Sequence, residues 1–105
     1  MIYTIYSMQD KYIPKKSSAF YALVEGRVQG VGFRYSAARE AMRLRINGWV
    51  RNTDKGDVEV WAEGTEEKLE LFFKWLKKGP QLSRVDSVKL DKCEPRGYED
   101  FGIQH

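Results

Sequence analysis

The chain has 105 residues, 42% hydrophobic and 31% charged, with three Trp, six Tyr and five Phe. That length suits a single domain with a modest core, and the apolar content excludes a disordered or low-complexity chain. A net charge of +3 permits an anionic ligand without demanding a polyanion, and no run of five like charges marks a nucleic-acid tail.

Cys93 stands alone, which rules out an intrachain disulfide, argues against a cysteine-based metal site and favours a reducing compartment. No apolar run approaches the ~20 residues of a membrane helix. The opening "MIYTIYSMQD" lacks the charged-then-apolar layout of a signal peptide, so a cytoplasmic protein is expected.

Residues 1–17 show scattered aromatics, Pro14 and no sustained period. They read as a mobile extension with one short strand at Ile2–Tyr6, and Met8 offers an alternative start. From Ser18 onward, residues 18–105, the pattern is regular. "AFYALVEG" (Ala19–Gly26) is β-branched and aromatic and predicts a strand. "RYSAAREAMRLRI" (Arg34–Ile46) predicts a helix, with Phe33, Ala37, Ala41 and Leu44 at helical spacing and Asn47-Gly48 as its stop. "GWVRN" (Gly48–Asn52), the turn "TDKGD" (Thr53–Asp57) and "VEVWAEG" (Val58–Gly64) predict a β-hairpin in which Val58, Val60 and Ala62 share one face.

Thr65 can cap a second helix, Glu66 and Glu67 suit its positive end, and Gly79-Pro80 ends it. Its stripe Leu69, Phe72, Phe73, Leu76 is a core face rather than a cofactor box. "RVDSVKLDKCE" (Arg84–Glu94) predicts a strand, Pro95-Arg96-Gly97 a turn, and "FGIQ" (Phe101–Gln104) a short final strand. The order βαββαβ plus a tail strand is the ferredoxin-like split βαβ arrangement: α+β, with an antiparallel sheet and two helices on one face.

Between the first strand and the first helix lies "GRVQGVGFRY" (Gly26–Tyr35). Gly30 and Gly32 admit positive φ and close backbone approach. Such a loop can turn successive N–H groups inward as an anion nest, backed by a helix N-terminus. Arg34 adds a planar cation suited to phosphate or carboxylate oxygens. The plainer reading is a tight strand-to-helix turn. Neither a P-loop nor a dinucleotide fingerprint fits, because no Lys-Ser or Lys-Thr follows and Tyr35 holds the third glycine position. In the split βαβ order the first and third strands are central, and the hairpin returns beside the first strand. Asn52 at the end of "GWVRN" can then approach the loop, where its amide would hold a water beside an anion. Periodicity alone does not place it, and a turn-entry residue bonding Asp54 or its backbone is the competing account.

The remaining candidates read as structural. His105 is terminal and exposed rather than a general base, and Cys93 is a small apolar filler. Asp54, Asp57, Glu59 and Glu63 gather around the hairpin, yet such charges usually face solvent at a turn, so no metal is expected. A non-enzymatic anion- or RNA-binding module of the same fold is the main rival, with Trp61, Phe20 and Tyr21 as base-stacking aromatics. The strand signature of the single-strand RNA readers is absent, and that reading leaves the glycine–arginine loop unexplained.

"GRVQGVGFR" followed by "NGWVRNTDKGDVEVWAEG" resembles the acylphosphatase family, and "FGI" (Phe101–Ile103) is similar to that family's closing strand. The resemblance covers roughly residues 18–105. It implies hydrolysis of small acyl phosphates to carboxylate and inorganic phosphate without metal or cofactor; a monomer with no nucleic-acid or membrane partner is expected. Carried over by motif, it implies Arg34 and Asn52 as the catalytic pair, and a phosphate-binding loop of Gln29, Gly30, Val31, Gly32, Phe33 and Arg34. Arg27 falls in the motif with a structural or surface role. The N-terminal extension and Lys55 in the hairpin turn depart from the usual pattern without touching the key pair. Related domains resemble the N-terminal module of larger carbamoyl-transfer maturation proteins; a free-standing enzyme is expected here. A carboxylate leaves without a proton, so the chemistry needs only a placed water and compensation of phosphoryl charge. No acyl-specific wall is apparent in the sequence.

Overall fold

Seven elements follow one another in a computed structural model that describes residues 17–105: β1 (Ser18–Arg27), α1 (Phe33–Arg43), β2 (Asn47–Asn52), β3 (Val58–Gly64), α2 (Glu66–Lys78), β4 (Arg84–Cys93) and β5 (Phe101–Gln104). The strand expected at Ile2–Tyr6 lies outside the described residues, as does the rest of the expected extension through residue 16. No helix among the described residues is long and apolar enough to cross a membrane.

The strands form one sheet in the order β4-β1-β3-β2-β5, with β1 and β3 central as the split βαβ order requires. The four main strands pair antiparallel. The extra tail strand joins this antiparallel set in the other sense: β5 pairs parallel with β2, Gly48 against Phe101 through Arg51 against Gln104. The topology explains this. β4 ends opposite the start of β1, and residues 94–100 cross that end of the sheet to the far edge. The chain must then run the same way as β2.

Alternation decides which side chains meet the helices. Phe20, Ala22 and Val24 of β1, Val50 of β2, and Val58, Val60 and Ala62 of β3 form one buried core with α1 and α2. From α2 come Leu69, Phe72 and Leu76, and from α1 Phe33, Ala37 and Ala41. Thr65 caps α2 as its sequence predicts, its hydroxyl accepting from the Lys68 N–H at 3.4 Å.

The first helix is shorter than its sequence pattern. Arg45 takes a left-handed conformation at φ 58°. The Arg45 N–H donates to the Met42 carbonyl at 3.1 Å and the Ile46 N–H to the Ala41 carbonyl at 2.8 Å. These paired bonds close a helix in a Schellman turn. The helix therefore stops at Arg43, Ile46 is buried beyond it, and Asn47 opens β2 rather than capping α1.

Candidate active site

Three strands, β1, β2 and β5, run in one direction and end at the same edge of the sheet, where α1 begins. Gly30 and Gly32 bridge β1 to α1 at φ 74° and 76°, a region costly to residues with a Cβ. A Cβ built on either would meet nothing within 4 Å, so close packing does not account for the glycines. Gly32 is the N-cap of α1 and has no side chain to offer. No side-chain hydrogen bond caps the helix and its first turn contains no acid. Its first N–H groups are thus left for a ligand, at the positive end of the helix dipole.

A cavity of about 220 Å³ opens there, and its lining includes Gly30, Gly32, Phe33, Arg34 and Asn52. Asn52 follows Val50 by two residues, so it shares the helix-facing side of β2. Its Oδ1 is buried without a hydrogen-bond partner, alone in this among the side-chain nitrogens and oxygens of the described residues. A buried unpaired amide oxygen costs free energy unless a ligand or water completes it. The turn-entry account of Asn52 does not explain this oxygen. The turn is closed instead by Thr53, whose Oγ1 accepts from the Lys55 N–H at 3.2 Å and the Asp57 N–H at 3.1 Å.

Gln29 and Val31 stand apart from the rest of the loop. The Gln29 side chain turns to the hairpin, with Nε2 donating to the carbonyls of Thr53 and Asp57 at 2.8 Å each. Val31 packs against the core. Neither lines the cavity, whereas Gly30, Gly32, Phe33 and Arg34 do. Arg27 ends β1 on the exposed surface.

His105 is exposed as expected but is not remote. The Arg34 guanidinium donates to the Gln104 carbonyl at 3.2 Å and lies 3.3 Å from His105 Nδ1. Arginine has only donors, so Nδ1 is the acceptor there. Ile103 and His105 also line the cavity. The parallel seating of β5 brings them in, and sequence spacing carries no signal of it.

Glu63 is another departure. It is buried on the sheet face away from the helices, not solvated at the hairpin. Its carboxylate accepts from the Trp61 indole N–H at 2.8 Å and from the N–H groups of Arg96 (2.6 Å), Gly97 (3.1 Å) and Tyr98 (3.0 Å). Burial pushes this carboxyl up, but those four donors outweigh it and hold it below the usual carboxylate range. The clamp fixes the crossing segment that delivers β5. Glu59 pairs with Arg51 at 3.1 Å. Among the described residues no cluster of three or more His, Cys, Asp or Glu is arranged for a metal.

Trp61 is 4% exposed and lies beneath the Arg96 guanidinium, 4.1 Å from its ring centroid. It has no open face on which a base could stack, so the RNA-reader alternative is not favoured.

The comparisons agree with this geometry. The acylphosphatase family model matches residues 20–103. An acylphosphatase of Bacillus licheniformis is 48% identical over 84 residues, spanning 79% of this chain and 93% of that protein. The crystal structure of acylphosphatase from Bacillus subtilis superposes with a TM-score of 0.82 at 38% identity, covering 84% of this chain and 99% of that one. A full-length HypF in its phosphate- and nucleotide-bound form matches with a TM-score of 0.78 at 29% identity, over 89% of this chain but 12% of that one. With the family pattern running from β1 to β5 and the glycine loop, the arginine and the asparagine meeting at one cavity, the chain belongs to the acylphosphatase family.

Proposed function

We propose that the protein is an acylphosphatase in which Arg34, Asn52 and the backbone of the glycine loop act on a small acyl phosphate. The phosphoryl group sits against the N–H groups that open α1, with Arg34 bearing charge on its oxygens. Asn52 orients a water in line with the bond between phosphorus and the carboxylate oxygen. The water oxygen forms a bond to phosphorus, and the phosphorus–carboxylate bond breaks with its electron pair leaving on the carboxylate. The water's proton passes to a phosphoryl oxygen, giving inorganic phosphate. The leaving group needs no proton, so the reading assigns no general acid, metal or cofactor.

The observation that supports this reading is the unpartnered Asn52 Oδ1, buried at a cavity it shares with Arg34 and an uncapped helix N-terminus. The same reading takes residues 18–105 as the catalytic domain and the protein as a cytoplasmic monomer without nucleic-acid or membrane partners. The test is hydrolysis of benzoyl phosphate by the purified protein with a chelator present. Rapid release of inorganic phosphate, inhibited competitively by added phosphate, is expected. A folded protein that binds phosphate without turnover would leave an anion-binding module.

A further inference from the structure

The cavity has a deep end and a rim, and their chemistry differs. At the deep end Asn52 Oδ1 is buried without a hydrogen-bond partner, and Val28 and Phe33 are each 1% exposed. At the rim Tyr35 is 62% exposed, while Ile103 is half-buried. No Asp or Glu lines the cavity, so nothing there repels a carboxylate as it leaves. With the phosphoryl end of a substrate held by the loop and Arg34, the acyl end points to the rim.

Tyr35 is one of five large apolar or aromatic side chains exposed on the described surface, and it alone of the five lines this cavity. The Arg39 guanidinium, one helical turn on, lies over its ring at 5.8 Å from the centroid. That contact steadies one face of the ring and leaves the rest of it to a ligand. Ile103 on β5 supplies a second apolar surface at the same cavity.

Resting on the acylphosphatase reading above, we propose that Tyr35 and Ile103 form an acyl-binding wall that selects acyl phosphates with a flat, apolar acyl group over those with a small one. Tyr35 sets specificity and takes no part in the bond-making step. Tyr35 follows Arg34 in α1 and both line the cavity, so phosphoryl and acyl ends are read by successive residues. An aromatic acyl group gains a ring contact that an acetyl group is too small to make.

The experiment compares benzoyl phosphate with acetyl phosphate as substrates, and benzylphosphonate with methylphosphonate as non-hydrolysable ligands, in wild type, Tyr35→Ala and Tyr35→Phe. The wild type is expected to bind the aromatic member of each pair more tightly. Tyr35→Ala is expected to raise KM for benzoyl phosphate roughly 2- to 12-fold, the worth of one aromatic contact, and that for acetyl phosphate far less. Tyr35→Phe, which keeps the ring, is expected to retain the wild-type ratio. Loss on both substrates by the same factor, or an unchanged ratio in Tyr35→Ala, would overturn the wall. Discrimination between the two phosphonates without turnover of either phosphate would instead retain the wall and overturn the catalytic reading.

Discussion

The side-chain amide of Gln29 donates to the Thr53 carbonyl at 2.8 Å, tying the glycine loop to the residue that follows Asn52. A second bond from the same nitrogen reaches the Asp57 carbonyl, also at 2.8 Å. Gln29 belongs to the proposed phosphate-binding loop, and its side chain acts as a brace between the segments carrying Arg34 and Asn52. Gln29→Ala should cost about 1–2 kcal/mol of stability. It should also lower kcat/KM by about 10- to 100-fold, because a shift near 1 Å between two positioned groups is enough for that. Urea unfolding and steady-state kinetics check the two effects separately. Full activity in a destabilised variant would show that the brace serves the fold alone.

Removing each member of the proposed pair should have different kinetic signatures. Asn52→Ala is expected to lower kcat about 10²- to 10³-fold while inhibition by inorganic phosphate stays within about threefold of wild type, since the water is misplaced and the anion still held. Arg34→Ala should lower kcat/KM by at least as much and also weaken phosphate inhibition, as the charge-assisted contact is gone. Wild-type turnover in Asn52→Ala would remove the water-orienting role.

The Glu63 carboxylate receives four N–H donors, two on each oxygen. An amide can accept on only one side, so Glu63→Gln sets an NH₂ group against two donors and should cost about 3 kcal/mol. The acid form of Glu63 suffers in the same way. Its folded-state pKa lies below the unfolded value, so its contribution is fully present above the ordinary glutamate pKa and is lost as pH falls through the folded one. Stability measured between about pH 3 and pH 6 should rise with pH in wild type and less steeply in Glu63→Gln. Equal slopes would show that the clamp does not govern acid sensitivity.

Arg45 holds a left-handed conformation at the end of α1 although it has a Cβ. Arg45→Gly removes that strain, roughly 1–2 kcal/mol, against a smaller entropic cost of freeing the unfolded chain. A gain of about 0.5–1 kcal/mol in urea unfolding is expected, with kinetics unchanged because Arg45 is exposed and away from the cavity.

The order of elements, the core stripes and the motif that names the family can all be read from the sequence, because each depends on local spacing. Val58, Val60 and Ala62 alternate; Leu69, Phe72 and Leu76 recur at helical intervals; Gly30 and Gly32 precede Arg34 by fixed steps. Short-range sterics and hydrogen bonding impose those periods wherever the chain lies. What depends on contacts between distant segments was left to the tertiary structure. The end of α1 at Arg43 is one case, since only burial of Ile46 behind a Schellman turn makes a left-handed arginine worthwhile there. Glu63 is another, because three of its four donors lie more than thirty residues away in the crossing segment. The parallel seating of β5 is the third. It brings Ile103 and His105 to the cavity of Arg34 and Asn52, and no local period records which sheet edge a four-residue strand will join.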